Sequence, residues 1–219
     1  PIWIRAVAFD QGSTLGGLWH FDSDREGPAY PSLSMNTSRQ VSSFSDFPYP
    51  KSDTDYPHRE EVMHYLRSYA QRNRLEEQIK LNVQIQQIKR IDNNRWELTV
   101  LSKNGTSKRI FDKIVVCTGR HLYPHVPPYP EDNPFEGEMI HSIQYSSNEA
   151  FRDKRILIVG SGASAADSAH QIGQVAKDLF ISVKEGRWII PRLIRGKPID
   201  HQLTRFSQRL PSPIQFFFF

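Results

Sequence analysis

Ile156-Leu-Ile-Val159-Gly160-Ser-Gly162-Ala-Ser164-Ala165 is the stretch that decides the fold. A continuous apolar run reads as a buried strand, and the Ala-rich residues through Ile172 read as a helix. Gly160 permits the tight turn between them. Gly162 lets the backbone approach a pyrophosphate, and Ala165 is accepted where strand and helix pack closely. The start of the helix then offers free N–H groups to phosphates. Leu179-Phe-Ile-Ser-Val183 is the next strand, which completes a βαβ unit with a parallel pair and a right-handed crossover. A glycine-rich turn used only for packing is the competing reading. The strand–turn–helix context favours dinucleotide binding.

The end of the second strand selects the coenzyme. An acidic residue there favours NAD, whereas a cation tolerates the 2′-phosphate of NADP. Lys184 follows Val183 directly and Arg187 is close behind, which points to NADP. Glu185 weakens the contrast, and a merely solvated Lys184 is the alternative.

Upstream, Ala6-Val-Ala-Phe9 is a short apolar strand closed by Asp10. An acidic residue in that place can hold a ribose, although Asp after a strand is also a common turn former. Gly16-Gly17 lets the backbone pass near a ligand. Residues 22–56 are rich in Ser, Pro, Asp and Tyr and lack periodicity, and so long a loop is usually functional. Pro57 suits the first turn of a helix, with Val62, Tyr65, Leu66 and Tyr69 at helical spacing. Residues 81–112 read as a β-meander: Arg95–Leu101 alternates at period two, and Asn104-Gly105 marks a hairpin. Ile114-Val-Val-Cys117 reads as a buried strand, with Cys117 an inert core thiol. Five prolines at 124, 127, 128, 130 and 134 make an extended connector.

Composition excludes several classes. The 219 residues are 38% hydrophobic and 24% charged with a net charge of +4, which argues against disorder. Charges of both signs are scattered, so no nucleic-acid partner is expected. One cysteine allows neither an internal disulfide, a multi-Cys zinc site nor a CxxC redox pair. The eight histidines show no metal spacing, and there is no GxSxG elbow. No apolar run approaches ~18 residues and no signal peptide is seen, so a cytoplasmic location is expected, with membrane association of a full-length protein left open. The chain opens on a strand without Met and closes on Pro211–Phe219, which reads as a piece of a longer protein.

Phe9-Asp10, Leu15-Gly-Gly-Leu-Trp19, Met35-Asn-Thr-Ser38, Ser45-Asp-Phe-Pro48, Cys117-Thr-Gly119, Phe135-x-Gly137-x-x-x-His141-x-x-x-Tyr145 and the Gly160 motif stand in one order. That order resembles the flavin-containing monooxygenases, the NADPH-dependent, dimethylaniline monooxygenase-like flavoproteins. Related Baeyer–Villiger enzymes usually place Trp where this chain has Tyr145.

The resemblance implies roles residue by residue. Asp10 stands where the family has an acidic residue, usually Glu, on the FAD ribose. Leu18 and Trp19, with Gly16 and Gly17 before them, match the lining of the FAD site. Met35, Asn36 and Thr37 match the segment beside the isoalloxazine, where Asn36 faces the oxygen-reacting carbon and is the implied catalytic residue. Met35 and Asn36 also face the nicotinamide. Thr118 and Gly119 match a hinge between nucleotide domains. Gly160, Gly162, Ser164 and Ala165 match the NADP pyrophosphate loop, and Lys184 sits where the family often has Arg. His141 has a structural or conformational part in its motif. The implied reaction uses NADPH, FAD and O2 to oxygenate an amine nitrogen or sulfide through a C4a-hydroperoxyflavin.

One departure is large. The family carries a GxGxxG about 20 residues before the acidic ribose ligand, and here only nine residues, none of them Gly, precede Asp10. The expected fold is α/β: two interleaved Rossmann-like dinucleotide-binding domains, one for FAD and one for NADP, both incomplete, with a β-meander insertion. Residues 1–120 form the partial FAD-binding domain, 121–134 a Pro-rich linker, and 135–219 the partial NADP-binding domain. Alternatives are a Baeyer–Villiger oxygenase or a non-catalytic, truncated dinucleotide-binding fragment, and the 219 residues alone are expected to be inactive.

Overall fold

The glycine turn at 160 sits inside a βαβ unit of a computed structural model that describes residues 5–22, 27–119, 121, 123–128, 135–186, 189–202 and 209. The chain sorts into two compact units, 1–20 with 60–122, and 21–59 with 123–219. The domain limits at 120 and 135 follow motif positions, whereas packing sends the long irregular segment 21–59 to the second unit.

In the first unit, β1 (Ala8–Phe9) pairs in parallel with β2 (Ile79–Lys80). The second unit contributes α1 (Arg39–Ser42). Helix α2 (Arg59–Arg72) has Glu60 and Glu61 in its first turn, where the helix dipole favours them. It buries Val62, Met63, Tyr65 and Ala70; of the expected stripe, Val62 and Tyr65 are buried and Leu66 and Tyr69 half-buried. The meander follows as β3 (Gln84–Arg90), β4 (Trp96–Ser102) and β5 (Gly105–Phe111), all antiparallel. Leu98 and Val100 on the central strand are buried at alternate positions. Positive φ in the β4–β5 turn falls on Gly105 (95°), which is where an L side chain would be strained.

In the second unit, β6 (Arg155–Val159), α3 (Ala163–Ile172) and β7 (Asp178–Ser182) form the βαβ unit, with Ile156 opposite Leu179 and Val159 opposite Ser182. Its core is Tyr30, Tyr145 and Ile172, with Ile156, Ile158, Leu179 and Phe151 packed against them. Tyr30 and Tyr145 meet edge to face at 5.4 Å, a favoured aromatic geometry. A hairpin of β8 (Leu193–Ile194) and β9 (Lys197–Pro198) closes through Arg195 and Gly196, both at positive φ, the geometry of a tight primed turn.

Two expectations change. Ile114–Cys117 is not a buried strand: its backbone joins no ladder among the described residues, Val115 is 83% exposed, and Cys117 is exposed too. An apolar run becomes a strand only when a neighbour accepts its hydrogen bonds. Strand β6 is covered on one face only, because Ile156 and Ile158 turn to the core while Leu157 and Val159 stay exposed. Residues 121 and 123–128 of the Pro-rich connector have no regular structure; the rest of it lies outside the described residues. No helix among the described residues is long and apolar enough to cross a membrane.

Tyr30 anchors the segment 27–34 to α3. Its phenol donates to Asp167 Oδ2 at 2.6 Å. Burial, then the Asp167 hydrogen bond, pushes the phenol far above its ordinary value. The folded state therefore prefers the neutral phenol. The stability this gives is intact below pH ~10, the unfolded value, and is lost as pH rises towards the folded one. Tyr30→Phe should cost about 1–2 kcal/mol in chemical denaturation, since it leaves Asp167 without its donor. It should also make the alkaline loss of stability shallower.

Candidate coenzyme and flavin site

Gly160 continues the β6–β7 ladder, its N–H donating to the Ser182 carbonyl at 2.9 Å. It then turns the chain at φ +123°, and a Cβ there or at Gly162 would meet nothing within 4 Å. Gly162 caps α3 without any side-chain hydrogen bond. The first intrahelical bond runs from Ala166 N–H to the Gly162 carbonyl at 3.0 Å. The N–H groups of Ala163, Ser164 and Ala165 therefore have no partner within the helix. Open space beside two glycines, in front of an uncapped helix start, fits a pyrophosphate. Lys184 lies two residues beyond β7 and is exposed, as is Glu185. Arg187 lies outside the described residues.

Met35, Asn36 and Thr37 belong to the same unit. Met35 N–H donates to the Pro57 carbonyl at 2.9 Å, and its sulfur accepts from the Tyr49 hydroxyl at 4.0 Å. Thr37 and Ser42 hydroxyls share a hydrogen bond of 2.7 Å. Ser38 is the N-cap of α1, its hydroxyl accepting from Val41 N–H at 3.5 Å. Asn36 is exposed, a polar amide on a turn pinned at either side.

The other candidates lie in the first unit. Asp10 follows β1 and is exposed, with Oδ1 accepting from Gly12 N–H at 2.7 Å. Gly16 has φ +128°, and a Cβ there would stand 2.2 Å from Met63 Sδ, so only glycine suits this approach to α2. Gly17, Leu18 and Trp19 form a single 3-10 turn, with Leu18 45% exposed and Trp19 half-buried. Thr118 and Gly119 are exposed, with Gly119 at φ +82°, three residues before the chain passes from one unit to the other. The ribose-type acid and the Gly16–Trp19 backbone suit one end of a flavin dinucleotide. The chain has no second glycine phosphate loop besides that at 160.

His141 caps the 3-10 turn Ser142–Gln144: its Nδ1 accepts from Ile143 N–H at 3.1 Å, and Gln144 Oε1 accepts from His141 N–H at 3.0 Å. Tyr145 is buried and donates to Gln171 Oε1 at 2.9 Å. Tyr145 thus ties this part of the FxGxxxHxxxY element to α3, while His141 fixes its local turn. Among the described residues, no group of three or more His, Cys, Asp or Glu is placed to hold a metal ion.

Two further residues hold the 35–56 segment. Arg39, 5% exposed, donates from Nε to the Thr54 carbonyl at 2.6 Å and from a terminal nitrogen to the Pro50 carbonyl at 3.2 Å. Asp200 accepts the Ser38 N–H at 2.6 Å. Neither has a local sequence signal. The glycine at 196, which permits the positive φ of the β8–β9 turn, is the one local feature of the hairpin that leads to Asp200.

The family model for flavin-binding monooxygenase-like proteins matches residues 4–215. The chain belongs to the flavin-containing monooxygenase family. It is 33% identical to rat dimethylaniline monooxygenase [N-oxide-forming] 2 over 94% of this chain and 41% of that protein. With human flavin-containing monooxygenase 5 it shares 34% identity over 94% of this chain and 40% of that one. The chain thus spans about two fifths of the length of these curated relatives. Among solved structures, the S-allyl-L-cysteine S-oxygenase of Allium sativum superimposes with a TM-score of 0.74 at 26% identity, covering 87% of this chain and 48% of that one. A cyclohexanone monooxygenase bound to ε-caprolactone shares the fold, with a TM-score of 0.65 at 22% identity over 84% of this chain and 35% of that one. The flavin monooxygenase neighbours have the Rossmann-type α/β fold, and this member of the family carries mixed parallel and antiparallel sheets.

Proposed function

We propose that this chain is the coenzyme-handling part of an NADPH- and FAD-dependent monooxygenase that oxygenates a soft nucleophile, an amine nitrogen or a sulfide. The observation that carries the reading is the pinned Met35–Ser38 turn. It presents an exposed Asn36 amide in the same unit as the open Gly160–Gly162 turn. N-oxide formation in the name of the rat relative and S-oxygenation in that of the garlic structure support the substrate class.

Bound FAD would supply hydride acceptance and oxygen transfer, so the protein needs no acid–base triad. The N–H groups of Ala163–Ala165 would hold the NADP pyrophosphate, and Lys184 would meet the 2′-phosphate. Asp10 would take the FAD ribose, the Gly16–Trp19 backbone would line the flavin dinucleotide, and Thr118–Gly119 would serve as a hinge. Met35 and Thr37 flank Asn36, whose amide can donate or accept at the reacting atoms without bringing an acidic proton. Oxygen insertion beside a ketone is the second reading, supported by the fold shared with cyclohexanone monooxygenase; Tyr145 in place of Trp speaks against it. The test is product analysis of the full-length protein with N,N-dimethylaniline, a thioether and a cyclic ketone. N-oxide and sulfoxide are expected. Lactone as the main product would overturn the reading.

The 219-residue chain by itself should purify colourless and show no NADPH oxidase activity, because it holds one glycine phosphate loop rather than two. The Gly160 loop is local to one βαβ unit, so weak NADP binding should remain measurable by titration. A yellow chain with stoichiometric FAD would refute this.

A further inference from the structure

We propose that Asp200 is a positioning residue for the reaction: its carboxylate pins the Met35–Ser38 turn and thereby fixes where the Asn36 amide stands. The inference rests on the role given above to Asn36.

The turn has two backbone anchors, one on each side of Asn36. Met35 N–H is held by the Pro57 carbonyl at 2.9 Å. Ser38 N–H is held by Asp200 Oδ2 at 2.6 Å. The second anchor is fully enclosed, with Ser38 at 0% and Asp200 at 7% exposure. Asn36 and Thr37 span the gap; the Thr37 hydroxyl is held by Ser42 at 2.7 Å, so the two backbone bonds chiefly limit Asn36. A charged acceptor makes the stronger kind of hydrogen bond with a backbone N–H.

Asp200 is itself rigidly placed. It lies in the 3-10 turn Ile199–Gln202 directly after β9. Ile199 N–H donates to the Arg192 carbonyl at 2.9 Å, which closes the base of the β8–β9 hairpin. The same carbonyl accepts the Tyr56 hydroxyl at 2.5 Å, and the Arg192 guanidinium lies over the Tyr56 ring at 5.3 Å. The hairpin base therefore grips the segment 38–56 at both ends, through Ser38 and Tyr56. Arg39 ties its middle together through Pro50 and Thr54.

The other oxygen, Asp200 Oδ1, is buried and has no hydrogen-bond partner among the described residues. A half-satisfied buried carboxylate costs stability. Asparagine would keep an acceptor for Ser38 N–H without that buried charge. Packing and stability alone do not call for an acid here; the strength of the anchor does.

The experiment compares Asp200→Ala, Asp200→Asn and Asn36→Leu in the full-length holoprotein. Two quantities are read: hydrogen exchange of the Ser38 amide, and product formed per NADPH oxidised. Asp200→Ala should speed Ser38 exchange and lower product per NADPH about tenfold, since a ~1 Å misplacement near the chemistry costs up to ~10²-fold. NADP+ affinity should stay within about twofold, because the Gly160 loop is untouched. Asp200→Asn keeps a neutral, weaker acceptor for the Ser38 N–H and should recover part of both readouts.

Full coupling in Asp200→Ala alongside uncoupling in Asn36→Leu would overturn the role of Asp200 while leaving that of Asn36 standing. Full coupling in both would overturn the Asn36 reading and this inference with it. A folded Asp200→Asn protein as uncoupled as the Ala variant would also refute the hydrogen-bond account. If Asp200→Ala does not fold, Ser38→Pro removes the same N–H at a φ of −67° that proline accepts. Coupling kept in that variant overturns the proposal, and coupling lost supports it.

Discussion

Asn36→Leu should lower the rate of product formation by ~10²-fold in the full-length protein, the usual cost of deleting one preorganised hydrogen-bonding group at a reacting centre. NADPH consumption should continue, with H2O2 appearing in place of oxygenated product. The substitution keeps the size of the side chain and removes both donor and acceptor. Asn36 is exposed on its turn, so little packing is lost and thermal stability should hardly change. Measuring product, H2O2 and NADPH in one assay checks the balance. Tight coupling in the Leu variant would remove Asn36 from the chemistry.

Lys184→Asp should shift the preference for NADPH over NADH by ~10²-fold at low salt. Unit charges about 4 Å apart in water interact by about 1 kcal/mol, and the 2′-phosphate carries about −1.5 to −2. Replacing an attraction by a repulsion of that size changes the difference by roughly 3 kcal/mol, and each ~1.4 kcal/mol is tenfold. Because Lys184 is exposed, the effect should shrink as salt is raised. Flavin reduction rates with both coenzymes, at two ionic strengths, decide it. An unchanged ratio would show that this strand end does not read the ribose.

Legibility followed the range of the forces. The period-two pattern of Arg95–Leu101 marks β4 with Leu98 and Val100 buried, and the spacing from Val62 marks α2. Both patterns depend on which face of a local element is apolar. The Gly160 turn was readable because φ +123° is open to glycine and little else. Ile114–Cys117 is equally strand-like in sequence, yet an isolated apolar run carries no information about whether a ladder partner stands beside it.

The second kind of information is the assignment of the 21–59 segment. It has no periodicity, and its composition says only that it is irregular. Its place is decided by Tyr30 on Asp167 and Ser38 on Asp200, pairs 137 and 162 positions apart. The sequence by itself determined the βαβ unit, the meander and the glycine turn, because each depends on residues a few positions apart. Only the tertiary structure decided which unit holds the turn that carries Asn36 and that Asp200 holds it there. A single hydrogen bond between distant residues leaves no periodic trace in either partner's neighbourhood, and forms only once the rest of the chain has brought the two together.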